Sequence, residues 1–320
     1  MQNIVRSVNK PEYLLQPGAL LRRVFGKHTE EGLVTVELPW KLPIEVNTSE
    51  VMGRTIAHHG LFEMSVVEGI FRLTEPDDVF LDVGANIGYM SSVAIAAGAK
   101  KIFSFEPHPE LFKHLDKNRS LWVGVYPTMS ASICVNQMAV STHKGTAHLR
   151  FPEKDFAGNY GLASLDRWQD GDFKEVEVPT ITLTEILEQC DGKAGVLKID
   201  IEGHELATFN ASLDVLSAGR IRDIIFEDDH GMESPVCVLL RTAGYTIFGL
   251  YKTIFGPVLL ETATDVIRLN ERSHEGCQNF IASRDPMRVK RRMAGHGFRC
   301  LAHPNVVERS LKLKPLSVSA

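Results

Sequence analysis

Short apolar runs alternate with longer amphipathic stretches from Val79 onward, and this rhythm organises the chain. Its clearest unit is FLDVGANIGY, residues 80–89. Val79 to Val83 is an apolar run of strand length, bounded by Asp78 and Gly84. A helix follows from about Ile87 to Ala97 and stops at Gly98. The same alternation then repeats. Lys101 to Phe105 reads as a second strand, and Pro107-His-Pro109 opens a helix that buries Leu111, Phe112 and Leu115. Ile133 to Val140 reads as the third strand, Gly195 to Asp200 as the fourth and Ile221 to Glu227 as the fifth. Thr182 or Thr184 caps a helix over Glu185–Gln189, Glu205 to Asn210 starts another, and Ser234-Pro235 opens one that Gly244 ends. Strands separated by helices predict an α/β fold with a mostly parallel sheet covered on both faces.

The flanking stretches read differently. Leu33 to Leu38 alternates apolar and polar positions like a half-buried strand, and Leu42 to Val46 returns as a second one. Ser49 caps a helix towards His58, and Gly60 to Phe71 reads as a helix with Phe62, Val66, Val67, Ile70 and Phe71 on one side. These signals divide the chain into an N-terminal arm and cap (1–75), a main domain (76–283) and a basic C-terminal tail (284–320). The tail's Arg288, Lys290, Arg291 and Arg292 read as a solvated helix face, with an anionic-substrate site or a membrane-surface contact as sharper alternatives. Residues 152–179 break the rhythm with Gly158, Asn159, Gly161 and Gly171 among Phe156, Tyr160 and Trp168. An insertion of this length suggests an arm over the substrate side.

A strand, a glycine turn and a helix place free backbone N–H groups at the carboxyl edge of a sheet, where open α/β folds bind ligands. Gly84-x-x-x-Gly88 matches neither the dinucleotide fingerprint nor the phosphate loop, since no Lys follows Gly88. Asp82, two residues before the first glycine, would repel phosphate and welcome an ammonium group. Glu106, at the tip of the second strand, suits the two hydroxyls of a ribose. An amino-acid ammonium joined to a ribose without phosphate describes S-adenosylmethionine.

Four stretches in order, FLDVGANIGY, FSFEPHPELFKHLDKN (103–118), NQMAVS (136–141) and VLKIDIEGHE (196–205), resemble the successive motifs of the FkbM-type methyltransferases. The resemblance covers about residues 60–230. It implies a class I methyltransferase (Rossmann-like) fold with a mostly parallel seven-stranded sheet. It also implies S-adenosylmethionine as donor, and O-methylation of a hydroxyl on a small molecule, natural product or glycan. On this footing Asp82, Gly84, Ala85, Asn86 and Gly88 form the methionine-end pocket, and Glu106 and Pro107 meet the ribose. Asn136 and Ala139 lie towards adenine, and Glu63 stands where family members often carry an acidic residue. Tyr245 to Leu250 and Pro257 to Glu261 pair as antiparallel edge strands in such folds.

An alcohol acceptor must lose its proton during attack, which calls for a general base or a metal. Asp200, Glu202 and His204 follow the fourth strand, and Glu227, Asp228, Asp229 and His230 follow the fifth, so both groups face one crevice. His204 is the base candidate because an unperturbed imidazole titrates near neutrality. A divalent metal such as Mg²⁺ on Asp200, Glu227 and Asp228 is the less favoured alternative. Other classes weighed are a nicotinamide-dependent oxidoreductase and a non-catalytic member of the fold that binds a partner.

Charge and composition narrow the partners. A net charge of −5 over 320 residues gives no reason to expect nucleic acid. No apolar run approaches the roughly 20 residues of a membrane span, and the first twenty residues lack the apolar core of a secretory signal. Five scattered cysteines without a C-x-x-C pair read as buried thiols in a reducing compartment. A cytoplasmic protein is the expectation, and the oligomeric state is open.

Overall fold

The computed structural model describes residues 32–152, 163–166, 173–273 and 276–302. The first elements are β1 (Leu33–Glu37) and β2 (Pro43–Asn47), an antiparallel ribbon, followed by helices α1 (Val51–His59) and α2 (Met64–Leu73). The main domain then runs β3 (Val79–Val83), α3 (Tyr89–Ala97), β4 (Lys101–Phe105), α4 (Pro109–Val125) and β5 (Ile133–Asn136). An excursion follows, made of β6 (Ala139–Val140), β7 (Gly145–Pro152) and β8 (Phe173–Ile181). The chain re-enters the main sheet through α5 (Leu183–Glu188), β9 (Ala194–Ile199), α6 (Glu205–Ala211), α7 (Leu213–Ser217) and β10 (Ile221–Glu227). It closes with α8 (Pro235–Thr242), β11 (Thr246–Thr253), β12 (Gly256–Leu260), α9 (Ala263–Arg272), β13 (Asn279–Ser283), α10 (Pro286–Met293) and α11 (Arg299–Ala302).

The central sheet has the order β12-β11-β13-β10-β9-β3-β4-β5. Strands β5, β4, β3, β9 and β10 are parallel, and β13 is antiparallel to both β10 and β11. With β12 set aside, this is the strand order of class I methyltransferases. The sheet holds eight strands rather than the expected seven. The two edge strands expected from the sequence are β11 and β12, and NFIAS (279–283) adds a further strand between β10 and β11. The stretch read as one third strand is also split. Its first half is β5, and its second half, β6, joins a separate three-stranded sheet in the order β6-β8-β7. Successive connections leave β3 in one direction and β9 in the other. The strand order therefore reverses between them and opens a crevice at their carboxyl ends.

Hydrophobic burial explains the core. Every residue of β9 is buried, as a central strand covered on both faces requires. Thr182 closes a capping box with Glu185 at the start of α5, which settles the choice between the two threonines. Ser49 does not cap α1, whose N-cap is Glu50 without a side-chain bond. Helix α2 is buried on all sides, including Glu68 and Arg72, because α10 and α11 cover the face turned away from the sheet.

The basic run thus lies against the domain. Arg288 is buried and bonds Asp223 at 2.7 Å and Glu75 at 3.0 Å, and Arg292 also reaches Glu75 at 3.2 Å. Lys290, by contrast, pairs with Glu261 on the surface. The solvated-face reading of this run therefore holds for Lys290 and not for Arg288.

The N-terminal elements are fastened to the glycine turn. Buried Asn118 of α4 accepts from Glu45 N at 2.7 Å and donates to Ile87 O at 2.9 Å, and Tyr89 Oη accepts from Phe62 N at 3.0 Å.

Candidate active site

A cavity of about 260 Å³ opens at the carboxyl ends of β3, β4, β9 and β10. The glycine turn forms its floor. Gly84 N and Ala85 N both donate to Phe105 O at 3.0 Å, which pulls the turn across the tip of β4. Gly84 has φ +73°, and a Cβ there would sit 1.8 Å from Asp200 O. No side chain fits where the two strand ends approach this closely. Gly88, with φ +87°, packs against Leu115 and Trp122 and does not line the cavity.

The remaining candidates on the cofactor side divide. Glu106 lines the cavity, and its two carboxylate oxygens accept from Asn86 N and His108 N, each at 2.8 Å. Burial pushes its carboxyl up to about 7, although both backbone bonds pull the other way. Ala85, Asn86, Pro107, Ala139 and Glu63 also line the cavity. Asp82 and Asn136 do not. Asp82 is fully buried beneath the turn, where Ser91 Oγ donates to it at 2.5 Å. Asn136 turns away and donates to Ser104 O at 3.3 Å, while its neighbours Met138, Ala139 and Val140 form the wall.

On the opposite side, Asp200, Glu202, His204 and Glu227 all line the cavity, so the ends of β9 and β10 do converge. Asp228 does not join them. It accepts from His230 N at 2.7 Å and steadies its own loop. Of the three carboxylates considered for a metal, Asp200 and Glu227 meet in the cavity and the third is turned away. Among the described residues, no group of three or more His, Cys, Asp or Glu side chains is arranged to hold a metal ion.

Lys198 belongs to this site and was overlooked, although the motif VLKIDIEGHE places it two residues before Asp200, on the same face of the strand. It is buried, donates to Gly84 O at 3.0 Å and stands 3.5 Å from Asp200 Oδ2. Burial alone would lower its ammonium, yet Asp200, Asp82 and Glu63 outweigh that and raise it. The carboxyls nearby shift upwards. Burial, then Asp200, drives Glu63 to about 7 and Glu227 to about 8. Among the described residues no hydrogen bond reaches the Glu227 carboxylate.

Backbone strain collects here as well. Among the described residues five non-glycine residues have positive φ, and three of them, Glu63 (φ +46°), Asn86 (φ +51°) and Glu202 (φ +54°), line this cavity. Such conformations persist where the surroundings over-determine them, and they gather at functional sites.

His204, the base candidate, lines the cavity with its ring held between two protein groups. Its Nδ1 is 2.5 Å from Asp166 Oδ2 and its Nε2 is 2.9 Å from Ser141 Oγ, so both ring nitrogens are engaged. No sequence signal pointed to Asp166, which comes from the 152–179 stretch. Of that stretch, Ala163, Ser164 and Leu165 line the cavity, whereas Gly158 to Gly161 and Trp168 lie outside the described residues. From the N-terminal elements, Met52, Phe62 and Glu63 complete the wall.

This crevice, with its glycine turn, acidic strand tips and strand order, defines a class I methyltransferase. The family model for the FkbM methyltransferase domain matches residues 82–247. The chain belongs to that family, whose methyl donor is S-adenosylmethionine. It is similar to the hexuronic acid methyltransferase AglP of Haloferax volcanii, at 26% identity over 53% of this chain and 64% of AglP. The match thus spans slightly less than two thirds of that relative. It is also similar to the 31-O-demethyl-FK506 methyltransferase FkbM of Streptomyces tacrolimicus, at 27% identity over 56% of this chain and 77% of the other. Among solved structures, an FkbM methyltransferase from Methylobacillus flagellatus KT aligns at 13% identity and TM-score 0.40, covering 65% of this chain and 44% of that one. No helix among the described residues is long and apolar enough to cross a membrane.

Proposed function

We propose that the protein transfers a methyl group from S-adenosylmethionine to a hydroxyl oxygen on a sugar, glycan or other small molecule. The observation that carries this is the set of cavity carboxylates, which exceeds the buried cations facing it. Glu63, Glu106, Asp200 and Glu227 line one cavity with Lys198 as the buried ammonium among them. Such a surplus fits a donor that bears an ammonium and a sulfonium, and it gives a hydroxyl somewhere to leave its proton.

When bound, the donor supplies a methyl group on positively charged sulfur. The chain's own residues do the rest. Glu63 and Asp200 oppose the donor's positive charge, Glu106 accepts from ribose hydroxyls, and the Gly84 turn lets the ligand approach the backbone. Holding both reactants in line supplies much of the rate. Glu227 is the proposed base, since its carboxylate faces the cavity with no hydrogen bond from the described residues and its affinity for protons is matched to neutral conditions. The named substrates of the two relatives, a hexuronic acid and an O-demethylated compound, support an oxygen acceptor. Five thiols, four of them buried and none in a disulfide, support a reducing, cytoplasmic setting.

Calorimetric titration with S-adenosylmethionine and NADH, followed by labelled-donor transfer to hexuronic acids, other sugars and polyketides, tests the reading. Donor binding and an O-methyl product are expected, with a rate that rises with pH through about 8 and loses that rise in Glu227→Gln. NADH binding more tightly than the donor, or label recovered on nitrogen or carbon, would overturn it.

A further inference from the structure

We propose that Asp166 is a positioning residue that holds His204 in its Nδ1–H form, and that His204 so held fixes the strained turn at Glu202. This rests on the reading of the cavity as a methyl-transfer site and assigns a task to a segment outside the four recognised motifs.

Proton accounting comes first. Asp166 Oδ2 lies 2.5 Å from His204 Nδ1, and an ionised carboxylate only accepts, so the hydrogen sits on Nδ1. Ser141 Oγ lies 2.9 Å from Nε2 in a buried setting. Among the described residues this hydroxyl has no other side-chain partner. If Nε2 also carried a hydrogen, the Ser141 hydroxyl hydrogen would be left buried without an acceptor, which is costly. With Nδ1–H donating to Asp166 and the Ser141 hydroxyl donating to Nε2, every hydrogen is used once. A carboxylate orienting a histidine through Nδ1 is the arrangement of a catalytic triad. Here the far end is a buried serine at the close of β6, and Ser141 does not line the cavity. The chain of bonds therefore serves to hold the ring, and the base is sought elsewhere.

A second contact runs beside the first. Ser164 Oγ donates to Glu202 O at 2.8 Å, and Ser164 exchanges backbone bonds with Arg150 of β7 at 3.0 Å in both directions. Asp166 N donates back to Ser164 Oγ at 3.2 Å. Ser164 and Asp166 thus grip both ends of the Glu202–Gly203–His204 turn from one side. Glu205 holds it from the other by accepting from Ile201 N at 2.8 Å and Gly203 N at 3.0 Å. Glu202 and Gly203 are both left-handed, with φ +54° and φ +97°. A glutamate keeps that conformation only where neighbours enforce it. The turn directly follows Asp200, so its shape sets how the acidic end of β9 faces the acceptor.

The test is nitrogen-15 NMR of the His204 ring, with amide exchange at Gly203, on the full chain. Wild type should show a single Nδ1–H tautomer. Asp166→Ala should lose it and speed Gly203 exchange about tenfold or more, and Ser164→Ala should speed the exchange while leaving the tautomer in place. Asp166→Asn, whose amide oxygen still accepts, should keep the wild-type ring signals. An Nε2–H ring in wild type, or ring signals and exchange unchanged in Asp166→Ala, would overturn the proposal. S-adenosylmethionine binding measured on the same samples separates the two ideas. Absence of binding in wild type counts against methyl transfer, whereas normal binding with unchanged ring signals counts against the positioning role.

Discussion

The same strands carry buried acids at both ends, and the two ends are treated oppositely. At the amino ends of β3 and β10, Asp78 and Asp223 meet arginines. Arg222 grips both oxygens of Asp78 at 2.8 and 2.7 Å, and Asp223 accepts from Arg222, Arg288 and Ser283. Burial pushes Glu75 up, but Arg288, Arg222 and Arg292 reverse this and leave it below the ordinary range. At the carboxyl ends, Asp82, Glu106, Asp200 and neighbouring Glu63 share Lys198, with Lys252 helping at Glu63, and Glu227 faces Asp200 and Glu63. Most of them shift upwards. Burial is common to both ends, so the difference lies in compensation. One end is finished as a structural ion network, and the other keeps a negative surplus that a cationic ligand can neutralise.

The largest effect is expected where compensation is complete. Arg288→Met leaves Asp223 charged, fully buried and short of a partner, and breaking a buried pair from one side costs about 3–5 kcal/mol. Denaturant unfolding should show that loss with donor affinity unchanged. A cost under 1 kcal/mol would mean that this network is decorative.

Glu63→Gln should do the opposite. Losing a hydrogen bond to a charged group costs roughly 1.5–3 kcal/mol, so donor affinity should fall about ten- to a hundredfold. The unliganded protein should be as stable as wild type or more so near pH 8, because a buried carboxyl that resists ionisation has been replaced by a neutral one. Calorimetry and thermal unfolding on one sample decide whether the signs diverge.

The pH dependence follows from the same surplus. Glu63 and Glu106 at about 7 and Glu227 at about 8 lie above their ordinary value of 4.5. Groups raised on folding bind protons better in the native state. Their contribution to stability is full below about 4.5 and is lost as pH rises through about 7 to 8. The unliganded protein should therefore melt progressively earlier from pH 5 to pH 8.5. Donor binding should strengthen over the upper part of that range and release protons, which calorimetry in buffers of different ionisation heats detects. A melting temperature that climbs over this range would contradict the surplus.

The smallest effect belongs to Lys290→Ala. Lys290 lies two residues from Arg288, but its 2.6 Å pair with Glu261 is solvent-exposed, and such pairs contribute about 0–1 kcal/mol. A larger loss would show that proximity to the network counts for more than burial.

What the sequence disclosed was local. The glycine turn was legible because a left-handed turn and a close backbone approach both demand glycine at Gly84. The strands were legible because burial on both faces leaves unbroken apolar runs. Depth was not legible. Asp82 and Glu106 both mark strand ends, yet Asp82 is sealed under the turn and Glu106 reaches the cavity. Long-range pairing was not legible either. Nothing near Arg288 announces that Glu75 and Asp223 await it, and nothing near His204 announces Asp166. Residue spacing reports which face of an element a side chain occupies, whereas these partners are chosen by the packing of segments distant along the chain.

The excursion between β6 and β8 bears on how such a fold could vary in length from one relative to another. Val140 pairs with Ile181 in a parallel ladder, and Ser141 N donates to Ile181 O at 2.9 Å, so the forty residues between Val140 and Ile181 leave and return through adjacent points. Lengthening a loop whose ends are already clamped together adds only about 0.6 kcal/mol per doubling. Meanwhile β3 and β9 pair with each other directly, and Gly84 meets Asp200 just past their ends. Residues 142–180 are therefore a stretch that relatives can lengthen or shorten at little cost, provided that whatever replaces Ser164 and Asp166 still holds the turn after Asp200, much as a tool head can be changed only if its socket is kept.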